Sequence, residues 1–202
     1  MQITGGKFKN KKISTLGKGD PKNHLRPTRS LIRQAIFNLI TNGGYNHAYK
    51  GDYGDNSNAS YVENKRVLDL FAGSGLLGFE SLSRGASHVT FVEKNKIAQS
   101  HINANCAKLG LKPYCKVIIA DATKLNPNNA MPYDLVFLDP PYHQGLGHLA
   151  LNRIATKNWL SRNALIIWEE GEAITPPLGF DMCDHRQYGK SHLHILRYQP
   201  SE

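Results

Sequence analysis

The stretch Arg66-Val67-Leu68-Asp69-Leu70-Phe71-Ala72-Gly73-Ser74-Gly75-Leu76-Leu77-Gly78 decides how this chain folds. It begins as a short apolar run, of the kind that is buried on both faces of a parallel sheet. It ends in a glycine-rich turn over 73–75 that opens a helix to about residue 83. A strand that enters a helix through such a turn is the first unit of an α/β fold.

Downstream, the alternation repeats. His88-Val89-Thr90-Phe91-Val92-Glu93 reads as a second strand, and Asn95 caps a helix that stops at Gly110. Lys116–Ala120 is a third strand, Asp134–Asp139 a fourth, 147–159 a helix and Ala164–Trp168 a fifth strand. Tyr188-Gly189-Lys190-Ser191 turns between two apolar-rich runs, which predicts a closing antiparallel hairpin. The expected architecture is α/β and Rossmann-like, a mostly parallel sheet with helices on both faces. Ligands of such sheets lie beyond the carboxyl ends of the strands. Asp69 to Gly75, Glu93, Asp121 and Asp139 therefore share one edge.

Upstream, Ile3, Phe8, Ile13 and Leu16 are spread among Gly and Lys with Lys9-Asn10 between the halves, so residues 2–16 read as a small basic β-hairpin. Leu25-Arg26-Pro27-Thr28 follows. Proline keeps Arg26 out of the helical region, and Thr28 can cap a helix over about 29–41. That helix carries Ile32, Ala35, Ile36, Leu39 and Ile40 at helical spacing, with Arg29 and Arg33 on its other side. Residues 42–64, rich in Gly, Asn, Tyr and Asp, read as a long polar loop. The chain thus divides into a basic extension (1–41), a loop (42–64) and a catalytic domain (65–202).

The net charge of +9 is concentrated at one end. Residues 1–33 hold nine Lys or Arg and one acid, Asp20, for +8, while the remaining 16 bases and 15 acids give +1. A basic arm on a near-neutral body implies a polyanionic partner, although a lone charge run is also what a solubilising tail looks like. Lys7, Lys9, Lys11, Lys12, Arg26, Thr28 and Arg29 are the candidate RNA-binding residues. No apolar run reaches the roughly 18 residues of a membrane span, and the first residues lack a signal-peptide core. Cys106, Cys115 and Cys183 fit neither a complete disulfide set nor a zinc pattern, so a reducing cytoplasm and no metal are expected. His143 and His24 are candidate RNA contacts, more often surface polar residues; His192 and His194 alternate in the last strand and read as structural.

The glycine turn lets a ligand approach the backbone closely, and the helix N-terminus behind it presents free N–H groups that suit a carboxylate. Asp69 at the strand end can accept from a cationic amine. Together with Phe71, Gly73, Ser74 and Gly75 it suits the amino-acid part of S-adenosylmethionine. Glu93 can take both hydroxyls of a ribose, and Asp121 can accept from an adenine amino group, with the Ala122 backbone completing that edge. The same glycines also match the dinucleotide pattern G-x-G-x-x-G, with Glu93 as its acidic partner, so a nicotinamide oxidoreductase competes. Against it, a carboxylate at Asp69 would stand too near a pyrophosphate, whereas it welcomes an amine.

Asp139-Pro140-Pro141-Tyr142 directly after an apolar strand is the strongest chemical signal. A nucleobase amino group is a weak nucleophile because its lone pair is delocalised into the ring. Hydrogen bonds from the NH2 to Asp139 and to a backbone carbonyl, that of Pro140, localise the pair. The two prolines fix φ and hold those carbonyls still. Tyr142 offers a face on which an extruded base can stack. The pattern points to amino-group methylation and leaves the base open; DNA adenine or cytosine is the alternative target.

These residues, with Ile3-Thr4-Gly5-Gly6, Leu25-Arg26-Pro27-Thr28, Ala35-Ile36-Phe37-Asn38, Leu82-Ser83-Arg84-Gly85-Ala86 and Phe91-Val92-Glu93, make the chain resemble the RsmD family of bacterial 16S ribosomal RNA guanine-N2 methyltransferases along nearly its whole length. The resemblance implies an S-adenosylmethionine-dependent methyltransferase fold, guanine N2 in the small ribosomal subunit or its assembly intermediate as substrate, and a monomeric, cytoplasmic enzyme. It assigns cofactor binding to Asp69, Gly73, Gly75, Glu93 and Asp121, and the guanine to Asp139–Tyr142. Arg26 and Thr28 would lie near the active-site mouth. The stretch 42–64 is longer than the short link this family pattern implies.

Overall fold

A computed structural model describes residues 1–14, 30–42, 45 and 60–200. Helix α1 (Ser30–Asn42) precedes an alternation of β1 (Arg66–Leu70), α2 (Leu76–Ser83), β2 (His88–Glu93), α3 (Lys96–Lys108), β3 (Cys115–Ile119), β4 (Tyr133–Leu138), α4 (Leu146–Thr156) and β5 (Leu160–Glu170), closed by β6 (Phe180–Tyr188) and β7 (Ser191–Tyr198). The seven strands form one sheet in the order β3-β2-β1-β4-β5-β7-β6. The first five are mutually parallel, and β7 and β6 form an antiparallel pair beside them. Strand order reverses between β1 and β4, so a crevice opens beyond Leu70 and Leu138.

The two-residue period of each strand sorts its side chains into two cores. Val67, Leu135, Phe137, Leu165 and Ile167 face one, and Leu68, Leu70, Val136, Leu138 and Ile166 face the other. Helix α2 is buried along its whole length and starts directly after Gly75, whose φ of 75° a side chain would resist. Gly78 lets that helix lie on the sheet, because a Cβ there would run into the Phe91 ring. Asn95 starts α3 as its sequence predicts, accepting from the amides of Ile97 and Ala98.

The N-terminal hairpin is present over the described residues 1–14: Gln2 bridges Lys12 in antiparallel fashion, and the Ile3 and Ile13 amides donate to the Lys11 and Met1 carbonyls at 3.1 and 2.9 Å. Two expectations shift. Arg33 is not on an outer face but buried at 4% exposure, drawn inward by Glu80 at 3.7 Å. Strand β5 is longer than expected, reaching Glu170, and the helix after β4 stops at Thr156. Arg26, Thr28, Arg29, His24 and most of the 42–64 loop lie outside the described residues.

The N-terminal turn packs on the same core as β1: Ile3, Ile13, Ile32, Ile36 and Phe37 join Val67 and Phe79 in one apolar cluster. Polar contacts fix its orientation. The buried Glu80 carboxylate accepts from the Thr4 amide and Thr4 hydroxyl, each at 2.8 Å, and pairs with Arg84 at 2.9 Å. The Gly5-Gly6 pair explains itself here. A Cβ on Gly5 would meet the Arg84 guanidinium, and one on Gly6 (φ 72°) the Ser83 carbonyl.

Candidate active site

The carboxyl edge of β1, β2, β4 and β5 opens into a crevice of about 1910 Å³. Its walls bring together most of the residues singled out in the sequence: Asp69, Phe71–Ser74 and Glu93 on one side, and Asp139–Tyr142 on the other. Met1, Thr4 and Asn10 of the N-terminal turn line it as well.

Asp69 is 3% exposed, and its Oδ2 accepts from the Gly78 amide at 3.0 Å. Burial pushes its carboxyl up to about 8, and the nearby Glu93 pushes the same way. Glu93 holds the glycine turn: Oε2 accepts from the Gly73 amide at 2.8 Å and Oε1 from the Asn95 amide at 2.7 Å. A carboxylate has about four acceptor positions, so two hydroxyls still fit. Phe71 adopts φ 58°, an outlier for a bulky residue, and this bend carries the chain from β1 into the turn.

The second wall is built from β4 and β5. Pro140 is buried, Asp139 and Tyr142 half-buried and Pro141 exposed. The Tyr142 hydroxyl donates to Glu169 Oε1 at 2.6 Å and lies 3.0 Å from the Ser191 hydroxyl. Burial first, then the bond to Glu169, raises the pKa of that phenol. His143 turns out at φ 59°, and Glu170 fastens this bend by accepting from the His143 and Gly171 amides. Two strained bends thus stand at opposite walls of one crevice.

Other expected site residues fall elsewhere. Asp121 does not line the crevice, although Ala120 and Ala122 on either side of it do. Its Oδ1 accepts from the Thr123 amide and hydroxyl, capping a short 3-10 turn, and these bonds lower its pKa. Gly75 is buried against Phe79, Ile102 and Phe91. Gly78, the third glycine of the dinucleotide pattern, is a packing residue under α2. Lys7, Lys9, Lys11 and Lys12 are exposed on the N-terminal turn and none reaches the crevice wall. The sequence pattern did not single out Glu169, Glu170 or Ser191. Two adjacent acids ending an apolar strand were a visible signal for the first two; Ser191 carried none.

Comparison with known proteins extends this geometry. The family model described as "Conserved hypothetical protein 95" matches residues 1–197. A ribosomal RNA small subunit methyltransferase D from Buchnera aphidicola (subsp. Acyrthosiphon pisum) is 35% identical over 172 residues, covering 84% of this chain and 78% of that one. The protein of the same name from Haemophilus influenzae is 31% identical, with the same shares covered. A solved Escherichia coli structure, yhhF, assigned to the methyltransferases, superposes with a TM-score of 0.80 at 26% identity and covers 100% of this chain and 99% of its own.

Proposed function

From its membership of the RsmD family, a family of methyltransferases to which this chain belongs, we propose that the chain transfers a methyl group from S-adenosylmethionine to the exocyclic N2 of a guanine in 16S ribosomal RNA, within the small subunit or its assembly intermediate. The observation that carries this reading is the shared crevice: an amine-seeking carboxylate at Asp69 and the Asp139–Tyr142 corner line the same space.

The donor fits the chain's own groups. Asp69 takes the ammonium, the 73–75 turn at the head of α2 faces the carboxylate, Glu93 takes the ribose hydroxyls, and the Ala122 backbone borders the adenine. When bound, the donor supplies an electrophilic methyl on a sulfonium. The protein's part is alignment. Asp139 and the Pro140 carbonyl accept from the guanine NH2, which turns its lone pair toward the methyl carbon. The N–C bond forms as the C–S bond breaks, the electron pair stays on sulfur, and the amino proton leaves toward Asp139. Tyr142, held by Glu169 and Ser191, presents a fixed face to the base. Orientation of this kind in a water-poor pocket is a large source of rate acceleration.

The exposed lysines of the N-terminal turn contact phosphates and position the RNA without reading its sequence. The enzyme works as a cytoplasmic monomer. Nuclease digestion of subunit particles methylated with labelled donor, followed by nucleoside separation, tests the target: label in N2-methylguanosine is expected, and label in methyladenosine or a higher yield on duplex DNA would overturn it.

A further inference from the structure

The β6–β7 hairpin carries a histidine group that the methyl-transfer reading does not use. His185 and His194 are cross-strand partners, and His192 lies two residues before His194 on the same face. One ring nitrogen from each falls within 4.8 Å of the others. His185 Nε2 and His192 Nδ1 sit 2.9 Å apart, in rings only 11° from coplanar, so a single proton joins them edge to edge. The His194 ring lies parallel to that of His185, 4.7 Å away. It is fully buried, and its Nε2 accepts from the Ile174 amide at 3.2 Å, which leaves the ring proton on Nδ1. The ion pair on β6, Arg186 with Asp184, belongs to residues that alternate to the opposite face.

We propose that His185, His192 and His194 form a site for a first-row divalent transition metal of the zinc type, with water completing a four-coordinate shell. Neutral imidazoles are the ligands such ions favour. Metal–nitrogen bonds of about 2.0–2.1 Å at tetrahedral angles place ligand nitrogens roughly 3.4 Å apart. The bridging proton between His185 and His192 moves to the far nitrogen of the ring that carried it, and the ion takes its place. His194 gives the ion its Nε2 lone pair in place of the Ile174 amide and keeps its proton on Nδ1, and the exposed ring of His185 turns out of its stack so that the three lone pairs converge. The ion would tie β6 to β7 at the rim of the crevice, which His192 itself lines beside Ser191.

Equilibrium titration of the metal-free full-length protein with zinc chloride, followed by calorimetry and by thermal unfolding, tests the site without reference to methyl transfer. One zinc per chain is expected, with a dissociation constant below about 10 μM and a rise in Tm. His185→Ala, at an exposed position where folding is not at stake, and His192→Ala should each weaken binding at least tenfold and abolish the Tm rise. Cobalt in place of zinc should show no thiolate charge-transfer band, which separates this site from Cys106, Cys115 and Cys183. No binding, binding unchanged in both variants, or a thiolate band would each overturn the proposal.

Discussion

The Tyr142 hydroxyl donates a 2.6 Å hydrogen bond to Glu169 Oε1, so the aromatic that follows the two prolines is fixed by the end of the neighbouring strand β5. Tyr142→Phe removes that anchor and keeps the ring; it should lower kcat by about 3- to 10-fold, the worth of one hydrogen bond. Tyr142→Ala also removes the face on which the base stacks, worth about 1–3 kcal/mol, and should lower kcat by a further 5- to 150-fold or about that. Donor affinity should hold in both. Equal losses in steady-state kinetics of the two variants would show that the ring face is not used.

Asp69 gives a pH signature. Its folded pKa of about 8 lies above the ordinary carboxylate value of 3.8, so the folded state binds a proton that the unfolded state releases. Its contribution to stability is therefore present in full below about pH 4 and is lost as pH rises to about 8. Asp69→Asn keeps an acceptor for the Gly78 amide and should flatten this slope in urea denaturation. Donor binding, which needs the charged form, should tighten by about tenfold or more between pH 6.5 and 8 and release protons. Calorimetry in two buffers of different ionisation enthalpy measures that release; Asp69→Asn should show none.

Gly78 joins packing to the site, since its amide reaches Asp69 and a Cβ would strike Phe91. Gly78→Ala should destabilise the fold by about 1–3 kcal/mol and weaken donor binding together. Chemical denaturation with and without donor checks both; a variant of unchanged stability would refute the packing account.

The lysines of the N-terminal turn act through phosphates. Replacing Lys7, Lys9, Lys11 and Lys12 with Ala should weaken RNA binding and reduce the slope of log K against log salt by about 0.7–0.9 for each phosphate that is no longer neutralised. An unchanged slope would mean that these lysines only keep the protein soluble.

Fold and site were legible in the sequence to different depths. The succession of strands and helices, the glycine turn and the closing hairpin follow from local periodicity, which is strong where a strand is buried on both faces. Arg33 was misplaced because its ion pair with Glu80 joins residues 47 positions apart, which no local pattern records. Asp121 sits at the expected strand end, and its Oδ1 also caps the next turn through Thr123 two residues on. Glu169 reaches Tyr142 because β5 lies beside β4, and Ser191 because β7 folds back beside β5. Contacts made by topology lie beyond spacing rules.

Asp139, as the acceptor that orients the guanine amino group, carries the proposed chemistry. Its most direct test is single-turnover methyl transfer to small-subunit particles by Asp139→Ala, with donor affinity measured on the same preparation. The methylation rate should fall by about 100- to 1000-fold, with donor affinity within about 3-fold of the unaltered protein. Transfer at an undiminished rate, or a loss explained entirely by failure to bind the donor, would contradict that role.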